Sequence, residues 1–319
     1  MDIHEIMMRR CFQLAANGLG HVRPNPLVGC VVVNGGRIVS EGFHQCYGGN
    51  HAERNALLPL VNGEAEGADL YVNLEPCSHY GKTPPCADLI VQRGVKRVFC
   101  SNDDPNPMVD GGGFDILRRA GIEVVNHLLE SEGRWLNRRF FTFMEHKRPY
   151  VILKWAQSAD GFLAPDIVDL QNGCGGKKQY WLSSQGQNRL NHKWRTEESA
   201  ILVGSETYLC DRPQLSPRHY LGPVPTPIVL DRSGRIASLP EHWISLDCQS
   251  VLQVMDHLHG LNVQSVIVEG GRKILNAFII DDVYDEIRVL QSNTMLYGGT
   301  KAPDLPHVSN RCITVVNYD

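Results

Sequence analysis

The chain has 319 residues, 42% of them apolar and 21% charged, and a formal net charge of −4. That length exceeds an ordinary single domain and predicts two, each able to bury its own core. The acidic balance argues against a general nucleic-acid binder, and no run nears the ~18 apolar residues of a membrane span.

Residues 1–10 carry two acids and no apolar stretch ahead of their arginines, which does not read as a secretory signal and predicts a cytoplasmic location. Residues 3–17 place Ile3, Met7, Cys11, Leu14 and Ala15 at helical spacing before Gly18 and Gly20. A hairpin follows, with strands at 28–33 and 37–42 around Asn34-Gly35, a strong tight-turn pair. His51 then opens a helix expected to run to about Leu60, with Asn50 as its N-cap. A short strand at 70–74 delivers Glu75-Pro76-Cys77 to its end, and Pro84-Pro85 opens a helix carrying Cys86. A strand at 95–101 exits into Asp104-Pro105-Asn106-Pro107, and a helix is predicted over 130–144. Residues 1–145 therefore suit a three-layer α/β domain.

The polar stretch 145–149 ends in proline and marks a boundary. A second α/β pattern covers 150–319, with strands predicted at 151–157, 200–204, 227–231, 265–269 and 286–291 and helices at 184–195 and 272–280. Residues 164–178 read as a long glycine-containing loop. The ten cysteines are scattered without a framework, so reduced thiols are expected, with Cys11, Cys30, Cys100 and Cys210 as small core residues.

His51, Cys77 and Cys86 are three ligands of the kind zinc prefers, and Glu53 is a carboxylate the metal does not need. A catalytic zinc takes three protein ligands and leaves the fourth position to water, whose pKa it lowers to about 7. The H-x-E, P-C, C pattern is that of zinc deaminases, with the glutamate as general acid/base. The competing reading is a closed structural site with His79 or His44 as fourth ligand. Close cysteine pairs, which such sites favour, are absent from this string. In the second half, Val266-Ile-Val-Glu-Gly-Gly-Arg272 leads a buried strand into two glycines and a helix, a turn that lets phosphate approach backbone amides.

Eight residues separate Cys77 from Cys86, and the stretch Glu75-Pro-Cys-Ser-His-Tyr-Gly-Lys-Thr-Pro-Pro-Cys86 resembles the deaminase signature of the bifunctional riboflavin-biosynthesis deaminase/reductases. Pro24-Asn25-Pro26-Leu27-Val28-Gly29 and Asp104-Pro105-Asn106-Pro107 strengthen the likeness. Further strings extend it over most of 150–300: Lys154-Trp-Ala-Gln-Ser-Ala-Asp-Gly161, Trp181-Leu-Ser183, Ala200-Ile-Leu-Val-Gly204, 207–218 and Glu269-Gly-Gly271. The resemblance implies a cytidine-deaminase-like domain followed by a dihydrofolate-reductase-like one, with Zn²⁺ and NADPH as cofactors and a phosphorylated pyrimidine as substrate. It implies that Asn25 and His44 contact the pyrimidine, while Lys82, Asp104 and Asn106 hold the ribose phosphate. It further implies that Ala156, Trp181, Thr207, Asp211 and Gly271 line the NADPH site, and that Lys154, Arg195, Leu215, Arg218 and Glu269 face the reductase substrate. Association into a homo-oligomer through the reductase half is expected on the same ground. The chain departs from the family in Arg212 after Asp211, in Arg232 after Asp231, and in a longer 164–180 segment. Two other readings stand beside this one: a nucleic-acid or nucleoside deaminase with an unrelated second domain, and a second domain serving only to bind nucleotide or to oligomerise.

Overall fold

The computed structural model describes residues 2–61, 63–79, 84–106, 112–165, 182–305 and 311–317. The chain divides into two units, Met1–His146 and Lys147–Asp319.

In the first unit α1 (Ile3–Ala16) begins at Asp2, whose carboxylate accepts from the His4 N–H and satisfies one of the helix's orphan donors. β1 (Gly29–Asn34) and β2 (Arg37–Phe43) form the hairpin, turning at Gly35 and Gly36 with positive φ. α2 (Ala52–Leu57), β3 (Asp69–Val72), α3 (Cys86–Gln92), β4 (Arg97–Cys100), α4 (Gly112–Arg119) and β5 (Glu123–Val125) follow, and α5 (Glu130–Leu136) and α6 (Arg138–His146) close the unit. The sheet order is β2-β1-β3-β4-β5; β1 is antiparallel to both neighbours and the β3-β4-β5 pairs are parallel.

Strand alternation sorts the two faces. Val31, Tyr71 and Phe99 pack with Met8, Cys11 and Leu14 of α1, while Cys30, Val32, Leu70, Val72 and Val98 pack with α2, α3 and α4 on the other side. The close seat of α2 on β2 requires glycine at Gly42, where a Cβ would lie 2.5 Å from the Ala56 nitrogen and 2.6 Å from the Ala52 oxygen. That seat fixes the start of α2, from which His51 and Glu53 project.

The cap of α2 is His51, not Asn50, and the helix ends at Leu57 rather than Leu60. Proline at 59 cannot donate to the helix and disfavours helical backbone before it. The helix predicted over 130–144 is two helices broken at Asn137, whose side chain is engaged with the backbone of Leu27.

The second unit carries a seven-stranded sheet, β10-β9-β8-β11-β6-β12-β14, with every pairing parallel. Its strands are β6 (Tyr150–Gln157), β8 (Ala200–Gly204), β9 (Thr226–Leu230), β10 (Ile244–Leu246), β11 (Ser265–Val268), β12 (Glu286–Gln291) and β14 (Cys312–Asn317). β7 (Phe162–Ala164) and β13 (Thr300–Lys301) form a small antiparallel pair. α9 (Val251–Gly260) and α10 (Arg272–Ile280) cover one face, over Val151, Leu153 and Trp155; α7 (Gln185–Glu197) and α8 (Ser205–Asp211) cover the other, over Tyr150 and Ile152. β8 and β11 are buried on both faces and read as near-continuous apolar runs for that reason, whereas β6 buries Lys154 among its apolar residues. Each fully buried aliphatic side chain there, such as Ile152 or Leu202, contributes about 1.5–3 kcal/mol of burial. Cys11, Cys30 and Cys100 are core residues, whereas Cys210 is only half-buried. The expected loop at 164–178 lies almost wholly outside the described residues.

Candidate active site

At the start of α2 the His51 Nδ1 lies 3.5 Å from Cys77 Sγ and 3.5 Å from Cys86 Sγ, and the three ligand atoms all fall within 4.8 Å of one another. Zinc bonds of about 2.05 Å to nitrogen and 2.3 Å to sulfur, at tetrahedral angles, set nitrogen–sulfur edges of about 3.5 Å. The donor set therefore fits zinc. β3 ends just before Glu75-Pro76-Cys77, and Cys86 is the first residue of α3, so three separate elements converge on the triangle. The Cys86 backbone N–H also donates to Cys77 Sγ at 3.3 Å.

The two thiols divide sharply. The hydrogen bond shared with Cys86 drives Cys77 well below the ordinary thiol range, helped by His51, and the same contact pushes Cys86 well above it. The bond to Cys77 raises His51. A stabilised thiolate beside an imidazole is suited to a borderline-soft cation. Glu53 is 3% exposed and outside the ligand triangle; burial first, and then the Cys77 charge, push its carboxyl up to about 7. It hydrogen-bonds with Cys86, which keeps it at the site.

Among the described residues the triangle has no fourth protein ligand. His44 is excluded by its own bonding, since both of its ring nitrogens are engaged: Nδ1 with the Asn50 carbonyl at 2.9 Å and Nε2 with Asn25 Nδ2 at 3.0 Å. A carbonyl only accepts, so Nδ1 carries the proton and Nε2 accepts from the Asn25 amide. Burial lowers the His44 pKa, in keeping with that neutral ring. The His44 and His51 rings meet edge-on, 5.6 Å between centroids, which brings Asn25 and His44 to the metal site.

Polar residues that the sequence reading did not single out hold the surrounding loops. Leu27 receives a hydrogen bond from Asn73 Nδ2 and another from Asn137 Nδ2 at its carbonyl, and its N–H donates to Asn137 Oδ1. Glu75, 4% exposed, accepts from the backbone N–H groups of Gly113 at 3.0 Å and Asp104 at 3.4 Å. The loop of Asp104 and Asn106 is thus tied two residues from Cys77, and Asp104 Oδ1 accepts from the Asn106 N–H. Burial and then the Glu75 charge raise Asp104 to about 6, after allowance for that hydrogen bond. The one sequence signal for Glu75 was its place directly before Pro76-Cys77. Lys82 lies outside the described residues.

In the second unit, Glu269 follows β11 and takes a two-point contact from Arg195 of α7, Nε to Oε1 at 3.0 Å and a terminal nitrogen to Oε2 at 2.7 Å. Lys154 of β6 stands 3.7 Å from the same Oε2. Burial alone would raise Glu269, but Arg195 and Lys154 outweigh it and hold the carboxyl at about 2. Burial lowers the Lys154 pKa. Two cations on one carboxylate leave an excess positive charge.

Gly271 caps α10 with no side-chain hydrogen bond, leaving the first amides of a nine-residue helix open to an anion. A Cβ on Gly270 would strike Ile274 at 1.8 Å, and one on Gly271 would meet Thr207 Oγ1 of α8 at 3.6 Å. The backbone there is bare, beside a hydroxyl, and fits the phosphates of a dinucleotide. Ala156 lies in β6 and Asp211 ends α8. Leu215 is buried among Tyr150, Trp194 and Tyr208, and Arg218 is exposed. Arg212 caps α8 at φ 43° over the Tyr208 ring, and Arg232 is exposed beyond β9. Trp181 lies outside the described residues.

The cytidine and deoxycytidylate deaminase zinc-binding region matches residues 1–102, and the RibD C-terminal domain matches residues 149–314. The riboflavin biosynthesis protein RibD of Actinobacillus pleuropneumoniae is 39% identical over 308 residues, 92% of this chain and 76% of its own length. The chain belongs to the RibD family of riboflavin biosynthesis proteins. The Bacillus amyloliquefaciens member is 35% identical over 99% of this chain and 95% of its own. Among solved structures, a deaminase/reductase from Thermotoga maritima matches at TM-score 0.83 and 38% identity, covering 94% of this chain and 89% of that one. Acinetobacter baumannii RibD matches at TM-score 0.86 and 31% identity, covering 97% and 92%. The chain is accordingly a bifunctional enzyme, a zinc-dependent deaminase and an NADPH-dependent reductase, with a cytidine-deaminase-like fold before a dihydrofolate-reductase-like one. Among the described residues no helix is long and apolar enough to cross a membrane.

Proposed function

We propose that this enzyme deaminates 2,5-diamino-6-ribosylamino-4(3H)-pyrimidinone 5′-phosphate and then reduces the ribosyl side chain of the product to ribityl. The deaminase is assigned to residues 1–145 and the reductase to 150–319. The observation that carries the reading is the His51, Cys77 and Cys86 triangle at zinc edge lengths, with the buried Glu53 carboxyl beside it and outside it.

When bound there, zinc makes water a nucleophile near neutral pH. Glu53 takes a proton from the attacking water and passes it to the ring nitrogen; it then takes the proton left on that oxygen and gives it to the amine, so that the carbonyl forms as the C–N bond breaks and ammonia departs. Asn25 and His44, hydrogen-bonded to each other, contact the pyrimidine. Lys82, Asp104 and Asn106 receive the ribose phosphate end.

NADPH, when bound, supplies the hydride for the sugar carbon of the opened ribosylamino group. Ala156, Trp181, Thr207, Asp211 and Gly271 seat the cofactor. Lys154, Arg195, Leu215, Arg218 and Glu269 face the substrate, with Lys154 placed to polarise a sugar oxygen. A small phosphorylated substrate, a cytoplasmic setting and a homo-oligomer joined through the reductase half complete the reading; the net charge of −4 speaks against nucleic acid as substrate.

Mass spectrometry of the products tests both half-reactions. Without NADPH the deaminated ribosyl compound accumulates; with NADPH the ribityl compound appears. A substrate left intact in the zinc-loaded enzyme would overturn the first assignment, and a ribosyl product unchanged by NADPH the second.

A further inference from the structure

Helix α7 grips the segment after α8 by its backbone. Arg195, besides holding Glu269, donates to the Ser216 carbonyl at 3.2 Å. One turn earlier on the same helix, His192 is 2% exposed, and its Nδ1 lies 2.9 Å from the backbone nitrogen of His219. An amide N–H only donates, so Nδ1 is the acceptor and the neutral ring carries its proton on Nε2. The His219 ring stacks on it, 4.7 Å between centroids and 9° from parallel, which fixes the ring plane.

The segment held in this way is strained. Arg212 and Leu215 have φ of 43° and 53°, a region that costs side-chain-bearing residues and persists only where surrounding contacts enforce it. Arg218 is bonded directly to the anchored residue His219. Burial, then Arg195, then Arg218 lower the His192 pKa to about 4, which keeps that ring neutral at physiological pH.

We propose that His192 is a positioning residue of the reductase site: through its Nδ1 it pins the 215–219 segment to α7 and so presents Arg218 to the phosphorylated sugar. This rests on the reading of Arg218 as a substrate residue. The role is one of geometry, since His192 need touch neither substrate nor cofactor.

The test is steady-state reduction of the deaminated intermediate by NADPH. Asparagine places an amide oxygen near the position of Nδ1, whereas glutamine carries its polar end farther out. His192→Gln should raise KM for the intermediate about five- to tenfold, the scale of one net hydrogen bond, with kcat and the KM for NADPH little changed. His192→Asn should restore KM. Arg218→Ala should raise KM by itself, and His192→Gln should add little in that background. If Arg218→Ala leaves KM unmoved, the substrate reading fails. If Arg218→Ala raises KM while His192→Gln does not, or if the two effects simply multiply, the positioning inference fails. Should His192→Gln not fold, ring-nitrogen NMR of the unaltered enzyme decides, because a His192 protonated on Nδ1 at neutral pH would overturn the proposal.

Discussion

Glu53 lies beside the two thiols and outside the ligand triangle, so its substitution separates metal binding from proton transfer. Glu53→Gln keeps the shape and loses the proton. Ammonia release should fall by at least about 10²-fold, the lower scale of general acid–base catalysis, with zinc content unchanged and NADPH oxidation of the deaminated intermediate retained. Loss of both activities together would contradict two independent sites. His51, Glu53, Cys77 and Cys86 were legible in the sequence because ligand chemistry restricts residue type and the strings keep their order. Asn73 and Asn137 were not legible, and Glu75 only through its place before Pro76-Cys77. They act on backbone groups far away in sequence, such as the Leu27 amide and the Gly113 N–H, which no local pattern announces.

The elements that frame the sites differ in the same way. β8 matches its expected limits because a strand buried on both faces reads as an unbroken apolar run, and β12 matches although it buries Glu286 and Arg288. β5, β10 and β14 were missed: the first two have only three residues, and β14 alternates half-buried with exposed positions at the sheet edge. α4, α8 and α9 were also missed; α4 opens on Gly112-Gly113, poor helix formers that are held at Glu75 by tertiary contacts. The seat of α2 gives a prediction at this scale. Gly42→Val would drive a branched side chain into the Ala52–Ala56 backbone and displace the start of α2. We expect a loss of about 3 kcal/mol in stability and weaker zinc retention in a chelator competition. An unchanged melting temperature with unchanged zinc affinity would show that α2 shifts freely on the sheet.

For the whole molecule, acid should be felt in the reductase half. His192 is held neutral at about 4 against an ordinary 6.5, and Glu269 ionised at about 2 against 4.5, amid Arg195, Lys154, Arg218 and His219. Both depressed values give the same sign: the unfolded chain binds more protons, so the stability they confer is present at neutral pH. It is lost as pH falls from about 6.5 to 4 for His192 and from about 4.5 to 2 for Glu269. The denaturation midpoint of this half, followed by the fluorescence of buried Trp155 and Trp194, should therefore drop steadily below pH 6.5. A midpoint that stays level down to pH 3 would mean that neither group is held as described.

Asn137 lies well beyond residue 102, where the match to the zinc-binding region stops, yet it grips Leu27 at both amide and carbonyl. Phe140 and Phe141, on α6, which starts one residue after Asn137, close over Leu74. A shortened catalyst designed from the matched region alone would thus be cut inside its own scaffolding. A portable version of the first enzyme has to extend through His146.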